Sequence, residues 1–442
     1  MFLDNMVYHL VLNSREFFYL FELDTGGALS CKVFNMNFDL IDKYFFKEGG
    51  VLKYSVALDD NNQVNLVYLL KTGELHLNIC RDLKWTDSVI GRFDTRSNRY
   101  NQFKILFANN KLNILYTYAN LINSNIYTIQ HVILGNTIEE KHNVMRYISR
   151  KAGDPFTLDC DDLGTIHLLY NTVSNNNSFV FYSYHSPYVK GWRNDPKELS
   201  QKDRQNINPY LFIDSKYNLH GAWIENYKNE YSLKYVRMST KGKEKYLWKP
   251  VKVPYILSES STPIIYEENG ILKIAVYNSK EISYINSSNY GLSWSQGDKI
   301  KGDDNTYLIN FSIDKSLYPD IKANHIFGKA GVNPKIYLLN NIFNRNKVDI
   351  KDMPVKSDSV SSKVSAEDIP VEIQTEETVK NNLDIDILSR EIEALQEAQR
   401  ELKILISKIL DREDSIIHGI NDIQKSLVSN NRSIFDKLFN KP

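Results

Sequence analysis

The sequence predicts an all-β head, a β-propeller of about seven four-stranded antiparallel blades, followed by a linker and a C-terminal α-helical coiled coil. Three observations predict it. A turn-and-strand unit recurs at a nearly constant spacing, strand-forming residues dominate from residue 6 to about 343, and the composition changes abruptly after Arg345 into a linker and then a heptad pattern.

The repeat is read first, because self-similarity at a period of roughly 40 to 55 residues implies a repeat architecture. Five segments share a turn rich in Asp, Asn or Gly followed by a short strand closing on an aromatic residue or its equivalent. They close at Tyr68, Tyr116, Tyr170, Trp223 and Val276, which are 48, 54, 53 and 53 residues apart. An apolar strand precedes each turn and an alternating strand follows it. Around the third copy these are Phe156 to Leu158, Ile166 to Tyr170 and Phe179 to Tyr184. The unit is a β-meander with no helical crossover, so the sheets are expected to be antiparallel. Fainter copies near Phe17 to Phe21 and Ile321 to Phe327 bring the expected count to seven. Tandem β-sandwiches would not explain one turn recurring at one spacing. Radial packing of the meanders, each covering the next, does.

Charge and cysteine usage remove several function classes. Lys plus Arg equals Asp plus Glu at 54 each, so the broad basic field of a nucleic-acid-binding protein is missing and no nucleic-acid partner is expected. Cys31, Cys80 and Cys160 are widely spaced without a CxxC or a His-rich neighbour. That pattern suggests buried strand thiols in place of a disulfide framework or a zinc site. Met1 to Ser14 lacks the positive end and apolar stretch of a signal peptide, and no 18-residue apolar run occurs. The expectation is a soluble, cytoplasmic protein without a membrane span, with surface or coat association by a non-classical route as the alternative.

Two stretches carry a resemblance. Asp161-Asp162-Leu163-Gly164-Thr165-Ile166-His167, with a looser copy from Asp214 to His220, looks like the Asp-x-x-Gly-x-(Ile/Leu)-His strand of sialidase-like, BNR-repeat propellers. Ser287-Ser288-Asn289-Tyr290-Gly291-Leu292-Ser293-Trp294 resembles their Asp-box, with Asn289 in place of Asp and Ser293 in place of Thr. The resemblance implies a structural role for the box: a short polar side chain caps turn N–H groups, glycine takes a positive φ and Trp packs under the blade. In the family it also implies a sialidase activity built on three arginines, a Tyr–Glu pair and an Asp. The early Phe/Tyr-Arg-Ile-Pro motif that supplies the first of those arginines does not occur here.

The ligand-binding candidates are Arg99, Arg150 and Arg204, each close before an inner strand, together with Tyr118, Asn171, Trp223, Glu225 and Tyr277 from the second-to-third strand loops. Arginine forks bind carboxylates bidentately, which would suit a cationic ring for an acidic sugar, although blade-to-blade hydrogen bonding is the favoured role for the three arginines. Aromatic faces beside amides and carboxylates are the chemistry of a sugar or peptide groove. The adjacent carboxylates Asp59/Asp60, Asp161/Asp162 and Glu267/Glu268 all occupy the repeat turn, which assigns them to capping. His167 and His220 share a repeat position with Asn65, Asn113 and Lys273 and are expected to be hydrogen-bonded strand residues. No catalytic residue, metal or cofactor is assigned.

Residues 1–345 are thus assigned to the propeller and 346–382, which lack aromatics and contain Pro354 and Pro370, to a disordered linker. Residues 383–440 are assigned to an oligomerisation helix. Its a positions are Ile385, Ile392, Gln399, Ile406, Glu413, Ile420 and Leu427, and its d positions Leu388, Leu395, Leu402, Ile409, Ile416 and Ile423. The expected partner is the chain itself. Function reads as a non-catalytic, multivalent recognition protein for a glycan or protein surface; a sialidase-like glycoside hydrolase and a structural coat or appendage scaffold are the alternatives.

Overall fold

In the computed structural model the described residues are 7–13, 17–135, 138–148, 156–174, 177–189, 191–243, 245–256, 261–331 and 334–339. The chain divides into two units, Met1–Pro354 and Val355–Pro442, and every described residue belongs to the first. The linker and coiled coil expected from the sequence lie outside the described residues, as does Arg150.

The described residues are all-β. The first sheet begins with β1 (Val7–Leu12), β2 (Phe18–Leu23), β3 (Leu29–Phe34) and β4 (Leu40–Lys47). The second holds β5 (Val51–Leu58), β6 (Val64–Leu70), β7 (Glu74–Arg81) and β8 (Lys84–Arg92). The third holds β9 (Asn98–Ala108), β10 (Lys111–Asn120), β11 (Ile126–Leu134) and β12 (Ile138–Ile148). The fourth has β13 (Phe156–Cys160), β14 (Ile166–Ser174), β15 (Asn177–Ser186) and two short outer pieces, β16 (Gly191–Trp192) and β17 (Lys197–Glu198). The fifth has β18 (Gln205–Ile213), β19 (Leu219–Tyr227), β20 (Glu230–Met238) and β21 (Trp248–Pro250). The sixth has β22 (Ile264–Glu268), β23 (Ile271–Asn278), β24 (Glu281–Ser287) and β25 (Ser295–Lys301). A last group comprises β26 (Tyr307–Ile313), β27 (Ile321–Ala323), β28 (His325–Lys329) and β29 (Lys335–Ile336). Among the described residues no helix is long and apolar enough to cross a membrane.

Each meander is antiparallel in sequence order, and the last group does not stand as a separate sheet. β26 pairs in parallel with β1, so that β28 and β29 extend the first sheet, while β27 adds to the sixth beside β22. The seven meanders expected from the repeats are therefore joined into six hydrogen-bonded sheets.

Bonds between inner strands carry the chain around an axis. Tyr54 Oη donates to the Val7 carbonyl at 2.6 Å, Ile105 N to Ser55 Oγ at 3.1 Å, and Phe156 N to Gln102 Oε1 at 2.7 Å. Leu211 N then donates to Thr157 Oγ1 at 2.9 Å and Ser215 N to Glu267 Oε2 at 2.7 Å. The β22–β27 and β26–β1 ladders close the circuit. A closed ring of sheets joined at their innermost strands is a β-propeller. Its core lies between the sheets: Tyr19 and Phe21 meet Tyr54 and Tyr68, Val67 and Leu69 meet Phe103 and Tyr116, and Leu169 and Tyr182 meet Leu211 and Trp223. Both faces of a middle strand such as β6 are consequently buried, whereas the outer β8 is largely exposed.

The repeat turns explain the repeat signature. Asp59, Asp161 and Asp214 each accept through Oδ1 from backbone N–H groups two and four residues on, at 2.8–3.0 Å. The residue in the fourth place, Asn62, Gly164 or Tyr217, takes a positive φ. The third and sixth sheets replace this turn with the tighter pairs Asn109-Asn110 and Asn269-Gly270, again at positive φ.

Candidate functional site

The histidine position of the repeat serves the turn. His220 Nε2 lies 3.0 Å from Asp214 Oδ2 and its Nδ1 2.6 Å from Tyr235 Oη; His167 repeats the arrangement with Asp161 and Tyr182. At the equivalent positions Asn65 donates to Asp59, and Lys273 pairs with Glu268 at 2.7 Å. The Ser287–Trp294 segment forms the capped hairpin: Ser293 N donates to Asn289 Oδ1 at 2.9 Å, Gly291 has φ +81°, and the Trp294 ring meets Tyr235 edge-on at 5.0 Å.

Of the residues singled out from sequence, four come together where the fourth and fifth sheets meet. Asn206, which sequence reasoning missed, joins two of them. Trp223 Nε1 donates to Asn206 Oδ1 at 2.8 Å, Asn171 Nδ2 donates to the Asn206 carbonyl, and Ser178 closes the network at 2.5–2.6 Å. Glu225, also buried, pairs with Lys234 at 3.0 Å and with Arg204 at 3.9 Å, and the Arg204 guanidinium lies 3.4 Å from the centre of the Tyr227 ring. Nothing in the run Gln205-Asn206-Ile207-Asn208 marks the second residue as the one that turns inward. The remaining candidates are dispersed. Arg99 is exposed on β9 opposite Ala119, Tyr118 packs by Tyr100 and Tyr116, and Tyr277 Oη donates to the Asp303 carbonyl at 2.8 Å.

An open pocket of about 650 Å³ lies between the outer strand of the third sheet and the fourth. β12 contributes Lys141, His142 and Asn143; β15 contributes Tyr184 and Ser186; the β16 hairpin and its exit contribute Trp192, Arg193 and Asn194. Among the described lining residues there is no carboxylate. Arg193 lies 6.0 Å from the centre of the Tyr184 ring. The run Gly191-Trp192-Arg193-Asn194 was visible in the sequence, but outer strands carry no repeat signature that would have drawn it out.

Trp192 is held across the sheet boundary by His131, to whose Nδ1 it donates at 3.1 Å, while His131 Nε2 meets Asn113 Oδ1 at 2.9 Å. An acceptor at Nδ1 and a donor at Nε2 require the neutral ring with its proton on Nε2. Burial, with His185 and His142 nearby, pushes its pKa down to about 3. His185 is lowered as well, chiefly by burial, and the three imidazoles lie within 5.1–6.1 Å of one another. With both His131 nitrogens engaged the trio is not a ligand set, and among the described residues no group of His, Cys, Asp and Glu is arranged to hold a metal.

No protein-family model and no curated protein matches the chain. Among solved structures it is similar to the BP39L lectin from Burkholderia pseudomallei, at 11% identity over 68% of this chain and 86% of that one with a TM-score of 0.47. It is similar to a six-bladed fungal lectin from Aleuria aurantia, at 12% identity over 68% and 97% with a TM-score of 0.40. A thermostable family-43 glycoside hydrolase gives 13% identity over 65% and 92% with a TM-score of 0.32. At these values the likenesses bear on neither ligand nor chemistry. The chain is assigned to the β-propellers on its own closed ring of sheets.

Proposed function

We propose that the propeller is a non-catalytic recognition head and that the pocket between β12 and β15–β16 takes an anionic glycan. The observation that carries this reading is the composition of that wall: Lys141 and Arg193 beside the Trp192 and Tyr184 rings, with amides and a hydroxyl at hand and no lining carboxylate. Aromatic faces stack on the apolar side of a sugar ring, amides meet its hydroxyls and the two cations meet a carboxylate or sulfate. A hydrolase of the two-carboxylate kind needs a facing carboxyl pair, which this lining does not supply.

Kinship with the sialidase-like superfamily, a count of seven blades, and self-association through residues 383–440 belong to the same proposal, on the strength of the repeats, the Ser287–Trp294 turn and the heptads. Multivalent heads raise avidity without new contacts. Arg99 and Tyr118, which lie close together where β9 pairs with β10, are proposed as a further contact region.

A glycan array probed with the full chain tests the reading. Binding to carboxylated or sulfated glycans that falls at least tenfold in Lys141→Met/Arg193→Met supports it. Binding lost only in Arg99→Ala/Tyr118→Ala moves the site to that further region, and turnover in a parallel hydrolysis screen would replace recognition by catalysis.

A further inference from the structure

The fusion of β26 and β28 to the first sheet lays a row of polar side chains across the propeller axis. Ladder register sets His9 opposite Asn310 and Asn310 opposite His325, and directly paired residues project from the same side of a sheet. Lys104 of β9 reaches the row from another blade: its Nζ donates to Asn310 Oδ1 and lies 3.4 Å from His325 Nε2. Tyr210 Oη of β18 meets His325 Nδ1 at 3.0 Å. His9, Lys104, Asn310 and His325 line a central cavity of about 500 Å³, a volume in the range of small-molecule sites.

The charges of this cavity are unbalanced at Lys104. No described carboxylate pairs with it, and burial alone pulls its pKa down to about 8, so that near neutrality it is an ammonium without a carboxylate partner among the described residues. Asn310 and His325 take two of its three N–H groups, leaving one uncommitted. Two further groups of the lining are unmet. His9 is 5% exposed and its Nδ1 has no partner, and Asp314, fully buried, satisfies Oδ1 through Ser316 while Oδ2 has none. Asp159, the neighbouring carboxylate, is already engaged by Ile213 N and Cys160 N.

We propose that the central cavity is a second binding site, distinct from the pocket between the third and fourth sheets, for a small molecule bearing a phosphate or carboxylate group, held by Lys104 and His9. A charge removed from water without a partner is costly, and a bound anion relieves that cost. Inorganic phosphate is the apt probe, because near neutrality it offers anionic oxygens to Lys104 and keeps a P–OH that Asp314 Oδ2 can accept.

The test is calorimetric titration of the full chain with inorganic phosphate at pH 7 and constant ionic strength, alongside thermal unfolding. Saturable binding is expected in the wild type and, unchanged, in Lys141→Met/Arg193→Met. Lys104→Met should abolish it. Replacing an unpaired buried ammonium by an apolar side chain of similar length is not expected to unfold the head. His9→Leu, which removes the unpartnered Nδ1, should weaken binding by at least tenfold. Absence of saturable binding in the wild type overturns the proposal, as does undiminished affinity in both Lys104→Met and His9→Leu. Loss of binding in Lys141→Met/Arg193→Met instead would assign the phosphate to the outer pocket and equally refute the central site.

Discussion

Acid should destabilise the propeller through its buried neutral histidines, and His131 allows the effect to be sized. In the folded state its pKa is pushed down to about 3, whereas an unfolded histidine titrates near 6.5. Below about pH 6.5 the unfolded chain therefore binds a proton that the folded chain refuses, and stability falls as pH falls. Between pH 7.5 and 5.0 this one group removes about 2 kcal/mol. His9, His185, His220 and His325 are also lowered, chiefly by burial, and act in the same direction, so the whole-protein loss exceeds that of His131. His131→Gln isolates its share, since glutamine can still accept from Trp192 and does not titrate. All five tryptophans lie between Trp85 and Trp294, so urea unfolding followed by tryptophan fluorescence reports on the propeller. The variant should lose about 2 kcal/mol less than the wild type between the two pH values. Equal losses, to within about 0.5 kcal/mol, would show that burial does not hold the ring neutral, and the bond that a neutral His131 accepts from Trp192 at the pocket wall would fall with it.

Two further outcomes are expected. Asp214→Ala strips the acceptor from the backbone N–H groups of Lys216 and Asn218, from Asn218 Nδ2 and from His220 Nε2, of which all but the Lys216 bond are buried, and should cost about 3–5 kcal/mol in urea unfolding. Asp59→Ala, in the same turn nearer solvent, should cost about 1–2 kcal/mol; equal costs would mean that burial does not set the energetics of the repeat. In the tail, Ile406→Asp/Ile409→Asp should convert an oligomeric full chain into a monomer by light scattering while the propeller's unfolding is unchanged, and an assembly that survives the pair of charges refutes the heptad assignment.

The sequence by itself determined the meander repeat and its turn chemistry. Those are local properties: an Asp two and four residues before the N–H groups it caps, a left-handed residue in the fourth place, and alternation along a strand that must be buried. Asp161, Asp214 and Asn289 were legible for that reason, and so were His167 and His220, whose partners lie within fifteen residues. Only the tertiary structure decided what lies between repeats. That β26 pairs with β1 from the other end of the chain, and so aligns His9, Asn310 and His325 beneath Lys104, depends on how the ring closes, which no period in the sequence encodes. The same holds for Asn171, Arg204, Trp223 and Glu225, which the fold gathers around Asn206. It holds for Lys141, Trp192 and Arg193, which meet across a sheet boundary. Contacts within a blade follow from neighbours in sequence, whereas contacts between blades are set by the angle and stagger at which finished sheets pack, and the candidate sites lie there.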